Sequence, residues 1–183
     1  MDFVKKGKKV TVVGAGNVGA SIAFTLAIKG LCSELLLVDI NKPKAKGEAM
    51  DIMQGTAFCP AVDVRDGDYE AIQVSGLNPK HVFGSGTVLD SSRLRTCLAD
   101  HANLNIKNIH AYVFGEHGDS SMIPWSLSSI DGMKFDDYCA HIDNLGDKDA
   151  IEQEVRAGGA EVIKCKGATY YAIALSVSQI ATS

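Results

Sequence analysis

Two groups of residues in this chain could do chemistry by type and spacing. The first is Gly14-Ala15-Gly16-Asn17-Val18-Gly19, followed twenty residues after its last glycine by Asp39. A glycine at 14 permits a sharp turn out of a strand. One at 16 leaves the backbone bare for a pyrophosphate, and one at 19 lets a helix pack closely on that strand. The N–H groups of Asn17 and Val18, at the start of the helix, then face the phosphates together with the positive end of the helix dipole. A carboxylate at 39 accepts both hydroxyls of an adenosine ribose and repels a 2′-phosphate, so the spacing favours NAD over NADP. The second group is Asp90 and Arg93, three apart and on one face of any helix that carries them, with His117 further on in Gly115-Glu116-His117-Gly118-Asp119-Ser120. Taken singly, such a pair is a common helical ion pair and such a histidine a common loop residue. Glu116, His117 and Asp119 have no second histidine or cysteine cluster beside them, so no metal centre is expected.

The elements that must position these groups follow from periodicity. Lys9–Val13 is a β-branched run that breaks at the first glycine, and residues 18–29 place Val18, Ile22 and Leu26 at helical spacing until Gly30. Residues 35–38 form a second strand ending at Asp39. Asn41 is a plausible cap for a helix over 44–53, and residues 61–65 read as a third strand, giving a doubly wound half-sheet of order 3-2-1. GDYEAIQVSGLN, residues 67–78, has neither a long helix nor an apolar strand, although a parallel crossover normally carries a helix. Residues 81–87 read as a strand and turn, and 89–103 as a helix with Leu94, Leu98 and Ala102 on one side. Residues 109–114 read as a strand delivering His117 at its end. Residues 122–130 read as irregular or strand-like, and 135–147 as polar and mixed. Residues 148–164 form a helix with a bend at Gly158-Gly159, and 170–181 form another apolar helix.

At 183 residues the chain can bury a genuine core. A net charge of -4 and the lack of basic runs interleaved with aromatics argue against a nucleic-acid surface. Five cysteines, Cys32, Cys59, Cys97, Cys139 and Cys165, are dispersed without CxxC spacing, which reads as reduced thiols in a cytoplasmic protein. The lysines ahead of residue 10 resemble the start of a secretory signal, but glycines and Asn17 interrupt the apolar run behind them. No stretch is long and apolar enough to cross a membrane.

GSGTVLDSSRLR at 84–95, YVFGEHGDSS at 112–121 and KGAT at 166–169, in that order behind the glycine turn, resemble the lactate/malate dehydrogenase family, in its bacterial L-lactate branch. The resemblance covers nearly the whole chain. It implies an α/β fold: a Rossmann-type dinucleotide-binding parallel sheet, incomplete, followed by an α+β substrate-binding domain, truncated, with the division at 1–78 and 79–183. It implies NAD as cofactor and interconversion of L-lactate and pyruvate. His117 corresponds to the proton shuttle, a role suited to imidazole because the ordinary pKa of histidine, about 6.5, lets both forms exist near neutrality. Asp90 corresponds to the carboxylate that orients it. Arg93 corresponds to the arginine whose planar fork holds the substrate carboxylate, and Thr169 to a threonine of the substrate pocket. Arg95 and His110 resemble the basic pair that binds fructose 1,6-bisphosphate at a subunit interface in allosteric members, and the resemblance implies a homotetramer.

The chain also departs from that pattern. Ile72-Gln73 runs directly into Val74-Ser75-Gly76, where the family carries two further strands, intervening helices and a mobile loop. With that block go a loop arginine, the neighbouring side chain that separates lactate from malate enzymes, and a substrate-positioning asparagine. The family's final strands and helix beyond Ser183 are missing as well. The adenosine half of a dinucleotide keeps its site, the first strand exposes an edge unless the strand at 81 pairs with it, and turnover by these residues alone is expected to be severely impaired. A malate or other 2-hydroxy acid dehydrogenase is the nearest alternative. A catalytically inactive nucleotide-binding or assembly remnant is the alternative of another class.

Overall fold

A computed structural model describes residues 8–68, 84–118, 120–141, 145 and 147–182. The described chain forms two units, residues 1–84 with 169–183 and residues 85–168.

In the first unit, β1 (Lys9–Val13), β2 (Glu34–Val38) and β3 (Asp63–Asp66) form a parallel sheet of order β1-β2-β3, with Val10 opposite Leu35 and Leu35 opposite Val64. Helices α1 (Asn17–Ile28) and α2 (Lys42–Gly55) make the two crossovers. Leu35 and Leu37 of β2 are almost wholly buried with Ala15, Ala23, Leu26, Ala45 and Ala49. Each buried leucine contributes about 1.5–3 kcal/mol relative to exposure. The small residues of α1 and α2 let both helices lie close to the sheet. Asn41 caps α2, its side-chain oxygen accepting the N–H of Lys44 at 3.2 Å. The third strand sits one or two residues later than its hydrophobic pattern suggests, because Ala61 remains exposed before the chain enters the ladder. Among the described residues, β1 pairs with β2 alone. The expected strand at 81, its pairing with β1, and most of the 67–78 connection lie outside the described residues.

Helix α6 (Tyr171–Ile180) also belongs to this unit, packed on α1. Chain order alone groups it with the second domain, as in the division at 79–183. Its Ala174 and Ser178 face is wholly buried, and the ammonium of Lys29 at the end of α1 donates to Ser178 Oγ at 2.9 Å. Small side chains four residues apart allow close helix approach, which explains why the helix packs here.

The second unit contains α3 (Val88–Ala102) and a small antiparallel sheet of β4 (Ile109–His110), β5 (Ser129–Ile130) and β6 (Met133–Lys134). Helices α4 (Phe135–His141) and α5 (Lys148–Lys166) follow. Leu94, Leu98, Ile109, Ile130, Phe135 and Ile151 form its core. The segment 135–147, polar by composition, opens with a helix because Phe135 inserts into that core and stacks on Trp125 with ring centroids 4.4 Å apart. Helix α5 continues through Gly158-Gly159, where the sequence suggested a bend. All five cysteines are free, and among the described residues no helix is long and apolar enough to cross a membrane.

Candidate active site and cofactor corner

The glycine turn and Asp39 meet at the C-terminal ends of β1 and β2. Gly14 has φ +97°, a conformation that disfavours any side chain, and its N–H donates to Val38 O at 2.7 Å. A Cβ on Gly19 would stand 1.7 Å from Gly14 O, so only glycine lets α1 start so close to the turn. Gly16 precedes α1 with no side-chain cap, no acidic residue stands in the first turn, and a Cβ at 16 would point into open space. The N–H groups opening α1 are thus reachable by phosphate oxygens, with exposed Asn17 and Val18 at the mouth.

Asp39 accepts the N–H of Ala15 at 2.6 Å and that of Asn41 at 2.8 Å. These two backbone donors, with a smaller contribution from Lys44, hold its carboxyl below the usual carboxylate range. Each carboxylate oxygen keeps a further lone pair, so a ribose diol can still be accepted. The corner therefore fits a dinucleotide: a bare turn, open N–H groups and an ionised acid at the neighbouring strand end.

The second unit brings together Asp90, Arg93 and His117. Asp90 lies in the first turn of α3 and is 8% exposed. Its Oδ2 is 2.6 Å from His117 Nδ1, and its Oδ1 accepts a hydrogen bond from Arg93 at 2.9 Å. A carboxylate can only accept, so in this pairing Nδ1 carries the proton and Nε2 is the nitrogen left over. The imidazole is 64% exposed, which leaves Nε2 open.

The positioning comes from contacts that single residue types do not advertise. Residues 111–113 are not laddered; instead Ser91 Oγ accepts the N–H of Val113 at 2.9 Å, and Thr87 Oγ1 donates to Val113 O at 2.6 Å. The first turn of α3 thus replaces a strand partner and fixes the segment that delivers His117 to Asp90. The isolated bridge between Phe114 and Met122 closes the loop behind it. Arg156 on α5 donates to Ser121 O at 2.9 Å, tying the far side of that loop to the helix. The Arg93 guanidinium lies across α5 where it has no side chain: a Cβ on Gly159 would be 3.1 Å from a terminal nitrogen. Thr87, Ser91 and Arg156 went unmarked in the sequence, and Gly159 reads there only as part of a helix bend. Only the paired glycine within a helical pattern offered a signal, since an interior glycine implies close approach.

Thr169 is half-buried ahead of α6 and belongs to the first unit rather than to the unit holding Asp90, Arg93 and His117. Arg95 and His110 stand on separate elements, α3 and β4. Among the described residues no hydrogen bond joins them; the Arg95 Nε donates to Ser91 O at 3.3 Å. Asp119 lies outside the described residues.

A parallel sheet with a dinucleotide corner and, in a second unit, a histidine–carboxylate pair beside an arginine define an NAD-dependent oxidoreductase. The family model described as lactate/malate dehydrogenase, NAD binding domain, matches residues 8–77, and the one described as lactate/malate dehydrogenase, alpha/beta C-terminal domain, matches residues 87–183. The chain belongs to the lactate/malate dehydrogenase family. It is 35% identical to L-lactate dehydrogenase 1 of Clostridium acetobutylicum, over 97% of this chain and 77% of that protein. It is 34% identical to an L-lactate dehydrogenase of Clostridium perfringens, over 96% and 76%. A solved minor L-lactate dehydrogenase from Enterococcus mundtii superposes with a TM-score of 0.87 at 28% identity, covering 97% of this chain and 77% of that one. The alignment to the Clostridium acetobutylicum protein runs over 242 residues, more than the 183 of this chain, so that relative has residues inside the aligned span with no counterpart here.

Proposed function

We propose that this protein interconverts L-lactate and pyruvate with NAD, with the roles divided between its two units. NAD, when bound, would supply the hydride acceptor for C2 of the hydroxy acid, and its reduced form the hydride donor to the keto acid. Gly14, Gly16, Asn17, Val18 and Gly19 hold the pyrophosphate and Asp39 the adenosine ribose. Arg93 offers its planar fork to the substrate carboxylate, and Thr169 lines the pocket. Nε2 of His117 takes the hydroxyl proton as lactate is oxidised and gives it back as pyruvate is reduced. Asp90 keeps the imidazole oriented and stabilises the cation that forms.

The single observation that carries this reading is Asp90 bonded at once to His117 and Arg93, since one buried carboxylate then sets both the proton carrier and the substrate anchor. Arg95 and His110 are proposed to receive fructose 1,6-bisphosphate in a homotetramer, in a reducing cytoplasmic setting where pyruvate is converted to lactate.

The test compares NADH oxidation by the 183-residue chain with pyruvate and with oxaloacetate, with NADH binding measured in parallel by fluorescence. Preference for pyruvate supports the lactate reading, and preference for oxaloacetate moves the chain to the malate branch. Binding without oxidation of NADH by either acid favours a nucleotide-binding role without turnover.

A further inference from the structure

We propose that Cys97, His101 and Glu154 form a binding site for a zinc-type divalent cation, separate from the Asp90 cluster. Cys97 and His101 are four apart on α3 and therefore share a face, and Glu154 reaches them from α5. One ligand atom from each, the thiol sulfur, an imidazole nitrogen and a carboxylate oxygen, can be chosen so that all three lie within 4.8 Å of one another. Around a tetrahedral zinc with bonds of about 2.0–2.3 Å, neighbouring ligand atoms stand roughly 3.5 Å apart, so only small rotamer changes are required. His101 Nε2 and Glu154 already approach to 3.0 Å.

The donor set is specific in kind. Sulfur, nitrogen and oxygen from three side chains suit zinc, whereas magnesium and calcium require oxygen. Cys97 is buried while His101 and Glu154 reach solvent, so the cation would enter from the helix surface and keep a water as fourth ligand. Binding forms a sulfur–metal bond as the Cys97 S–H bond breaks, with the proton leaving to solvent. No oxidant is needed. Cys97 lies seven residues after Asp90, about 10 Å along α3, and Gly159, against which Arg93 lies, is on the same helix as Glu154. The cation would therefore staple together the two helices that carry Asp90 and support Arg93.

The experiment titrates Co²⁺ into the EDTA-treated full chain and follows absorbance, then displaces cobalt with Zn²⁺. A thiolate-to-cobalt charge-transfer band saturating at one ion per chain is expected. Affinity should fall at least tenfold in His101→Gln and in Glu154→Gln, both exposed positions whose variants keep the helical circular dichroism. The band should disappear in Cys97→Ser and survive in Cys59→Ser and Cys165→Ser. Absence of the band overturns the proposal. So does a band that titrates with unchanged affinity in His101→Gln and Glu154→Gln, or one that vanishes with Cys165→Ser. If Cys97→Ser fails to fold, the two exposed-site variants decide.

Discussion

Asp90 is the residue on which the proposed chemistry turns, because both of its oxygens are committed: one to the ring nitrogen of His117 and one to Arg93. Replacing His117 by alanine removes a general acid–base group, a loss of about a hundredfold to ten-thousandfold in kcat. Gly159→Ala places a methyl group against the Arg93 fork, so the KM for pyruvate should rise while the dissociation constant for NADH stays unchanged in fluorescence titration. Asp39 yields a prediction with a defined sign. Its folded pKa is depressed by the Asn41 and Ala15 N–H groups, so the stability it contributes is complete above the ordinary carboxylate value, about 3.9, and is lost as pH falls through the lower folded value. The urea midpoints of the native chain and Asp39→Ala should therefore differ by a constant amount from neutrality down to about pH 5 and converge only below about pH 4. Convergence near neutrality would mean that those bonds contribute nothing.

At the scale of elements, the cofactor corner was readable in the sequence because each feature is local: strand, glycine turn, helix and strand-end acid all fall within residues 9–39. Asn41 as a cap was readable for the same reason. The second unit was less so. Residues 109–114 look like one strand, but only Ile109–His110 is laddered, since Thr87 and Ser91 satisfy the backbone of Val113 instead. A helix side chain standing in for a strand leaves no periodic trace. Ser91→Ala should leave the buried Val113 N–H without a partner, costing about 1–3 kcal/mol in chemical denaturation. Pyruvate turnover should suffer with it, because His117 depends on that segment. Leu98→Ala, in the same helix but in the core, should cost about 2–5 kcal/mol and leave the Asp90–His117 bond formed.

At the scale of the molecule, chain order and packing group the last helix differently: the C-terminal family model spans it, at residues 87–183, as the division at 79–183 expects. The last helix follows the second unit in sequence yet packs on α1, where Ala174 and Ser178 give it a close-fitting face; the pairing partner of such a face cannot be read from the helix alone. Asp90, Arg93 and His117 were recognisable in the sequence only as motifs in family order, since nothing local to Asp90 announces a histidine 27 residues later. Their proximity is a property of the folded second unit. The dinucleotide corner is a property of the first, and the proposed reaction needs both. The central claim is therefore tested most directly by one paired measurement on the native chain and His117→Ala: the rate of NADH oxidation by pyruvate, with NADH binding recorded on the same samples. Measurable oxidation by the native chain, lost in the variant while binding persists, is the predicted result. Equal rates in the two proteins, or loss of NADH binding in the variant, would contradict the role assigned to His117.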